Sequence, residues 1–126
     1  MATVLPIFRV IVAGGRDFND YNLLCDRCDK LLSQKQLTHN IVIVSGTCRG
    51  ADTLGEQYAH ERGYNDERFP ADWKNLGKVA GVIRNNQMAD NADALIAFWD
   101  GQSRGTKNMI NIAHKKNLLV RIIKYN

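Results

Sequence analysis

The stretch VSGTCRGADTLGEQYAH, residues 44–60, starts as a hydrophobic strand and continues as a helix. The turn between the two elements is rich in glycine and short polar residues: Ser45, Gly46, Arg49, Gly50 and Asp52. Glycine permits a tight turn, and a short acid such as Asp52 caps the start of a helix. The first turn of a helix also has unpaired N–H groups that receive anions. The stretch therefore predicts a strand-turn-helix unit whose turn has either a structural or a ligand-binding role.

The rest of the chain repeats this alternation of short apolar runs and longer helical patterns. The predicted strands are residues 8–14, 41–46, 67–70, 94–100 and 118–125. Strands that alternate with helices form parallel sheets with helices on both faces. The sequence thus predicts an α/β, Rossmann-like three-layer fold over residues 1–126 as a single domain. Its sheet is expected to be five-stranded and mainly parallel, with about four helices.

The composition is ordinary for a globular chain, since 44% of the 126 residues are hydrophobic and 24% are charged. No apolar run reaches the roughly 18 residues of a membrane span, and the N-terminus has no basic leader. We therefore expect a cytoplasmic protein without a membrane partner. The net charge of +4 favours anionic partners slightly. Because Lys and Arg form no dense block, nucleic acid is a conceivable partner that the sequence does not favour.

The cysteines and histidines predict no metal site. Cys25 and Cys28 form a C-x-x-C pair inside a helical pattern, without the second pair that would complete a zinc site. With Cys48 the count is odd, which argues against a disulfide framework, so all three are interpreted as packing residues. The histidines, which show no ligand spacing, are His39, His60 and His114.

Three predicted strands end in turns of similar composition, each directly before a helix. The turns are AGGRDFND (13–20), SGTCRGAD (45–52) and WDGQSRGT (99–106). Because parallel strands end at one edge of a sheet, the turns are expected to converge, and ligands of open α/β sheets bind there. Glycine allows close approach of a ligand, and arginine suits phosphate or carboxylate. None of the turns is a P-loop or a G-x-G-x-x-G motif.

The loop FPADWKNLGKVAGVIRNNQM (69–88) adds residues of other types. Trp73 either stacks on a base or anchors the loop to the core. Arg84 and Asn85 either contact a ligand or lie on a solvated helix face.

Taken together, these motifs resemble the SLOG superfamily, which is named for its DNA-processing and LOG-type members. The similarity is greatest to the small YspA-like branch and covers nearly the whole chain. It includes VAGGRDF, VSGTCRGADTLGEQYA, FPADW, GKVAGVIRNNQMA and ADALIAFWDGQSRGTKNMI. The resemblance implies a Rossmann-like sheet that binds nucleotide-derived ligands without a required cofactor. This branch is thought to sense or process molecules related to NAD and ADP-ribose, often in bacterial or phage conflict systems.

The resemblance also implies ligand contacts at specific positions. Phosphates are expected at the turns 14–16, 45–52 and 103–106. Trp73, Arg84 and Asn85 are expected to contact the base, the ribose or a second phosphate. The remaining expected ligand-binding residues are Gly14, Gly15, Arg16, Asp17, Ser45, Gly46, Arg49, Gly50, Asp52, Asp100, Gly101, Ser103, Gly105 and Thr106.

One position departs from the LOG-type pattern. LOG-type phosphoribohydrolases carry a GGxGTxxE motif whose glutamate is catalytic, whereas this chain has SRGTKNM, with Met109 in place of the acid. A thioether is not a general acid or base, so that chemistry is not carried over. Asp17, Asp52 or Glu56 could replace it.

Three functions follow as hypotheses. The first is a sensor or sequestering module that binds a nucleotide-derived ligand without chemistry. The second is a nucleotide hydrolase or N-glycosidase, and the third is a single-stranded DNA-binding accessory protein. A homodimer is expected to form through the predicted edge strand within NLLVRIIKYN (117–126).

Overall fold

The computed structural model describes residues 4–126 and shows five strands and five helices in strict alternation for most of the chain. The strands are β1 (Ile7–Gly14), β2 (Asn40–Ser45), β3 (Asn65–Arg68), β4 (Ala94–Trp99) and β5 (Leu119–Lys124). The helices are α1 (Tyr21–Leu32), α2 (Ala51–Arg62), α3 (Trp73–Leu76), α4 (Ala80–Asp90) and α5 (Arg104–Lys115). Helix α3 is a single turn, so four helices are of normal length. The predicted α/β fold is confirmed.

The strands form one sheet in the order β3-β2-β1-β4-β5. All four neighbouring pairs are parallel, so the sheet is more regular than the mainly parallel sheet that was predicted. The chain builds outward from β1 to β3 and then crosses to β4 on the other side of β1. The order of strands therefore reverses between β1 and β4, where open α/β sheets bind their ligands.

The two faces of the sheet are covered by different pairs of helices. Helices α1 and α2 pack on one face against Val10, Val12 and Ile43. Helices α4 and α5 pack on the other face against Ile11 and Leu95. Strands buried on both faces need apolar residues at successive positions, which explains the uninterrupted hydrophobic runs of β1, β2 and β4.

The prediction for the third strand was displaced by two residues. Strand β3 is Asn65–Arg68, not 67–70, and Pro70 lies beyond its end. It pairs with β2 from Val42 to Ser45 at the edge of the sheet, and most of its side chains are exposed. An edge strand of this kind is held by backbone hydrogen bonds and carries no apolar pattern to locate it.

Strand β5 forms the opposite edge, and its residues Leu119 and Ile122 are exposed. The homodimer through this edge stays a prediction. In the described part of the chain, no helix is long and apolar enough to cross a membrane.

Candidate functional site

A cleft of about 590 Å³ opens at the carboxyl ends of β1 and β4. The turn after β1 is held against β4 by the Gly15 amide, which donates to the Phe98 carbonyl oxygen at 3.2 Å. The cleft lies at the reversal of strand order, and its volume is in the range of about 300–1,000 Å³ that small-molecule sites occupy.

Thirteen of the seventeen predicted ligand-binding residues line this cleft. They are Gly14, Gly15, Arg16, Asp17, Arg49, Asp52, Trp73, Arg84, Asn85, Asp100, Ser103, Gly105 and Thr106. The convergence of the three turns at one edge of the sheet brings them together. The structure adds Lys78, Arg104 and Asn108, which the sequence did not single out, and Cys48, which was interpreted as a packing residue. Arg104 and Asn108 could have been found from their positions in the first two turns of α5, close to Ser103 and Thr106.

The cleft carries an excess of positive charge. Five cationic side chains and three carboxyl groups line it. The cations are Arg16, Arg49, Lys78, Arg84 and Arg104, and the acids are Asp17, Asp52 and Asp100. Such a balance suits an anionic ligand.

The turn after β1 is braced by the C-terminal end of the chain. The Tyr125 hydroxyl donates to Asp17 Oδ1 at 2.7 Å, although the two residues are 108 positions apart. Arg16 is exposed at the cleft surface. Asp17 therefore serves to hold the turn, while Arg16 is available to a ligand.

The turn after β2 packs directly against the turn after β1. Gly50 has a φ of 84°, and a Cβ at this position would lie 2.3 Å from the Gly15 carbonyl oxygen. The Ala51 amide donates to that same oxygen at 3.2 Å. Only glycine combines this backbone conformation with so close an approach, which positions the start of α2 beside the cleft.

Asp52 is a buried acid in the wall of the cleft. The residue is 6% exposed, and its Oδ2 accepts a hydrogen bond from the Cys48 amide at 3.2 Å. Burial raises the pKa of the Asp52 carboxyl to about 6, while the Cys48 hydrogen bond and the charge of Arg84 lower it in part. Asp52 is therefore a group that titrates near neutral pH inside the cleft.

Arg84 and Asn85 form a buried hydrogen-bonded relay across the cleft floor. Arg84 donates to the Gly46 carbonyl oxygen through Nη1 and to Asn85 Oδ1 through Nε, the latter at 3.0 Å. Asn85 Nδ2 in turn donates to Asn108 Oδ1 at 2.9 Å. The solvated helix face considered for these residues is wrong, since Arg84 is 8% exposed. The relay joins the turn after β2, helix α4 and helix α5.

The start of α5 forms the opposite wall. Asp100 Oδ1 accepts from the amides of Gln102 and Ser103, both at 2.8 Å, and these bonds lower the pKa of the Asp100 carboxyl. Ser103 is the N-cap of α5, and its Oγ accepts from the Thr106 amide. Met109, at the position of the LOG-type glutamate, is 1% exposed and packs in the core between α5 and the sheet.

Trp73 lies at the mouth of the cleft, on the first residue of α3 and not in a loop as predicted. Its ring lies over Gly81 of α4, where an added Cβ would stand 3.2 Å from ring atom Cη2. The residue is 49% exposed, so one side of the ring is supported by α4 while solvent reaches the rest.

Five predicted residues lie outside the cleft lining. Ser45 is buried, and its hydroxyl donates to Glu56 Oε2 at 2.6 Å. Glu56, proposed as a catalytic acid, also pairs with Arg68 at 3.4 Å beside the edge strand β3. The other three residues shape turns behind the lining: Gly46, Gly50 and Gly101. The sequence could not separate these supporting residues from those that face the cleft.

The three cysteines are free and differ in environment. Cys28 is buried in the core, and burial raises the pKa of its thiol to about 12, as expected for a packing residue. Cys48 instead lines the cleft, with its Sγ 3.8 Å from Arg84 Nη2. Among residues 4–126 no cluster of three or more His, Cys, Asp and Glu side chains could hold a metal ion.

Comparisons with known proteins agree with this architecture. The model of the YspA, cpYpsA-related SLOG family matches residues 8–76, which include the turns after β1 and β2. The Gene 61 protein of Mycobacterium phage D29 is 34% identical over 118 residues, which cover 89% of this chain and 93% of the phage protein.

Two solved structures share the fold. DNA processing protein A (DprA) from Streptococcus pneumoniae superposes with a TM-score of 0.70 at 18% identity over 97% of this chain. The chain spans about half of that protein, 51% of its length. A structural-genomics target named TM1055 has a TM-score of 0.63 at 21% identity, with 92% of this chain and 72% of the target covered. At these identities the likeness shows the fold alone.

Proposed function

Since the chain belongs to the YspA, cpYpsA-related SLOG family, we propose that it binds a nucleotide-derived small ligand in the cleft, as a sensor or sequestering module. The ligand class is adenine nucleotides and molecules related to ADP-ribose or NAD. The family match confirms the resemblance inferred from the sequence motifs. The relative from a mycobacteriophage supports a role in conflict between phage and host.

The observation that carries this proposal is the meeting of three glycine-rich turns at one cationic cleft. Arg16 is exposed on one wall, and the opposite wall is the start of α5 at Ser103. A helix N-terminus and an arginine fork are both suited to a phosphoryl group. Lys78 and Arg104 add positive charge at the rim.

We assign the nucleobase to the end of the cleft that is lined by Trp73. Trp73 is half-exposed at the mouth and is backed by α4 at Gly81. A ring held in this way is a stacking surface, and stacking on an aromatic side chain contributes about 1–3 kcal/mol per base. The glycine-rich turns would bind the phosphate of a nucleotide, and Trp73 would bind its base.

The experiment that tests the proposal is a ligand screen. Purified protein is heated with AMP, ADP-ribose, NAD or cyclic ADP-ribose, and Kd is measured by calorimetry for each compound that raises Tm. A ligand present at 100 times its Kd stabilises the folded state by about 2.7 kcal/mol, so a clear rise in Tm is expected for at least one compound. If none of the four shifts Tm or binds in the calorimeter at millimolar concentration, the proposal is wrong.

A second candidate function is hydrolysis of the ligand's ribosyl bond, and Asp52 favours it. A buried carboxyl with a pKa of about 6 in the cleft wall is a usable general acid or base near neutral pH. Met109 lines the cleft where the LOG-type motif has its acid, and because a thioether is not a general acid or base this favours binding without chemistry. Chromatography of each ligand after prolonged incubation separates the two functions. Release of a free base would show hydrolysis, whereas intact ligand would leave binding as the function.

A further inference from the structure

Asp52 has an unused hydrogen-bond acceptor that faces the cleft. Its Oδ2 accepts from the Cys48 amide, whereas no described residue donates to its Oδ1. The residue is 6% exposed and lines the cleft. Among residues 4–126 every fully buried side-chain oxygen has a hydrogen-bond partner, so Oδ1 is reached from the cleft and can accept a donor there.

The charged groups around Asp52 do not supply that donor. Glu56 on its own helix, Arg16 on the turn after β1 and Arg84 on α4 act on its charge, and Arg49 on the turn lines the same cleft. In residues 4–126 none of these cations forms an ion pair with Asp52. Arg84 directs its donors to Gly46 and Asn85 instead.

A phosphoryl group is the wrong ligand for this position. It offers only acceptors when fully ionised, and its charge would repel that of Asp52. A hydroxyl group is the right one, because it donates a hydrogen bond to the carboxylate without adding charge. Of the phosphate-attracting groups, Arg16 and the start of α5 belong to other turns of the cleft, whereas Arg49 shares the turn with Asp52.

Resting on the proposed function, we propose that Asp52 accepts hydrogen bonds from the hydroxyl groups of the ligand's sugar. The turn after β2 is then the ribose subsite, and the phosphoryl group lies between the turn after β1 and the start of α5. This assignment replaces the phosphate that the sequence led us to expect at residues 45–52.

The test uses AMP and 2′,3′-dideoxy-AMP, which differ only in the two ribose hydroxyls. We expect the protein to bind AMP at least about 10-fold more tightly, the effect of losing a hydrogen bond to a charged group. In Asp52→Ala we expect nearly equal affinities for the two nucleotides. In the isosteric Asp52→Asn the preference for AMP should be about 3-fold or less. The control is Asp26→Asn, an exposed acid on α1 outside the cleft, which keeps the full preference.

The ratio of the affinities for AMP and 2′,3′-dideoxy-AMP is also measured as a function of pH. Its pH dependence distinguishes a sugar hydroxyl at Asp52 from a phosphoryl group there. The phosphate group titrates identically in both nucleotides and cancels from the ratio of their affinities. A carboxylate accepts hydroxyl donors better than the neutral acid does, so the preference for AMP increases between pH 5 and pH 8. With a phosphoryl group at Asp52, binding of both nucleotides would instead weaken as the pH rises.

Two outcomes overturn the inference while the proposed function stands. One is equal affinity of the wild-type protein for the two nucleotides. The other is tighter binding of both nucleotides and of inorganic pyrophosphate by Asp52→Asn, which would place a phosphoryl group at this turn. Absence of binding by either nucleotide contradicts the proposed function for this ligand class and the inference with it.

Discussion

The guanidinium group of Arg84 is hydrogen-bonded to the main-chain carbonyl oxygen of Gly46, so that helix α4 is tied to the turn after β2. The same guanidinium continues through Asn85 to the side chain of Asn108 on α5. The relay sets the distance between two walls of the cleft. Arg84 thus positions the walls through buried side-chain hydrogen bonds while it lines the cleft itself.

The first prediction concerns this relay. Arg84→Lys cannot donate to Gly46 and Asn85 together, because an ammonium group lacks the planar fork of arginine. We expect the free energy of unfolding to fall by about 2 kcal/mol, measured by urea denaturation. Arg104→Lys, an exposed change at the cleft rim, is the matched control and should alter stability by less than about 0.5 kcal/mol. Equal stability of the two variants would show that the relay is not a structural element.

The second prediction tests the space at Gly46. A Cβ there would lie 2.7 Å from Arg84 Nη1 and 2.8 Å from Asp52 Oδ2, so Gly46→Ala displaces both groups. We expect a loss of about 1–3 kcal/mol in the free energy of unfolding, together with weaker ligand binding. Gly105→Ala is the control, because no atom lies within 4 Å of its added Cβ. In a helix this change leaves stability unchanged or raises it by up to about 1 kcal/mol.

The third prediction concerns the pH dependence of stability. The folded state raises the pKa of Asp52 to about 6, so the folded protein binds this proton more tightly than the unfolded chain does. Stability contributed by the group is therefore complete at low pH and is lost as the pH rises from about 4 to about 6. Above pH 6 the folded wild-type protein must keep an ionised carboxylate buried, whereas Asp52→Asn has no charge to bury. The variant should therefore be more stable than wild type by about 2–3 kcal/mol at pH 7.5.

The measurement is urea denaturation of wild type and Asp52→Asn at pH 4, 5, 6 and 7.5. The two curves of stability against pH should approach each other towards pH 4, where the carboxyl is protonated in the folded state and about half protonated in the unfolded chain. A difference that is constant across this range would assign the effect to packing and not to the charge of Asp52.

The fourth prediction concerns Arg16. It is exposed at the cleft surface, so Arg16→Ala should change Tm little while ligand affinity falls by about 10- to 100-fold, as expected for a charge-assisted contact. Arg27→Ala, which removes an exposed arginine of α1 outside the cleft, is the control and should keep wild-type affinity. The affinities of wild type, Arg16→Ala and Arg27→Ala are measured by calorimetric titration with a nucleotide that binds the wild-type protein. Wild-type affinity in Arg16→Ala would remove Arg16 from the site.

The fifth prediction separates the base from the phosphates. Trp73→Leu removes the stacking surface, so the affinity for AMP should fall by about 5-fold or more, whereas the affinity for ribose 5-phosphate should not change. Trp99→Leu removes the other tryptophan, whose Nε1 donates to the Ser103 carbonyl oxygen, and disturbs the phosphate wall instead. Its effect should therefore extend to both compounds. A Trp73→Leu variant with equal losses for both compounds would contradict stacking.

The sequence by itself determined the fold and the place of the site. Continuous apolar runs mark strands that are buried on both faces, and glycine-rich turns mark where those strands meet helices. Parallel strands all end at one edge, so the three turns had to converge. Local pattern carried this information because burial and turn geometry act on residues that are close along the chain.

Only the tertiary structure decided what each polar residue in those turns does. Arg84 lines the cleft but directs its donors to buried contacts, and Ser45 lies behind the lining. Asp17 is held by Tyr125 from the far end of the chain, and Asp52 keeps one carboxylate oxygen open to the cleft. Each of these roles depends on a partner supplied by another segment of the chain, and on the burial that such a partner imposes. Neither the distance between two side chains nor the water excluded around them is recorded in the order of residues, so these assignments required the folded arrangement.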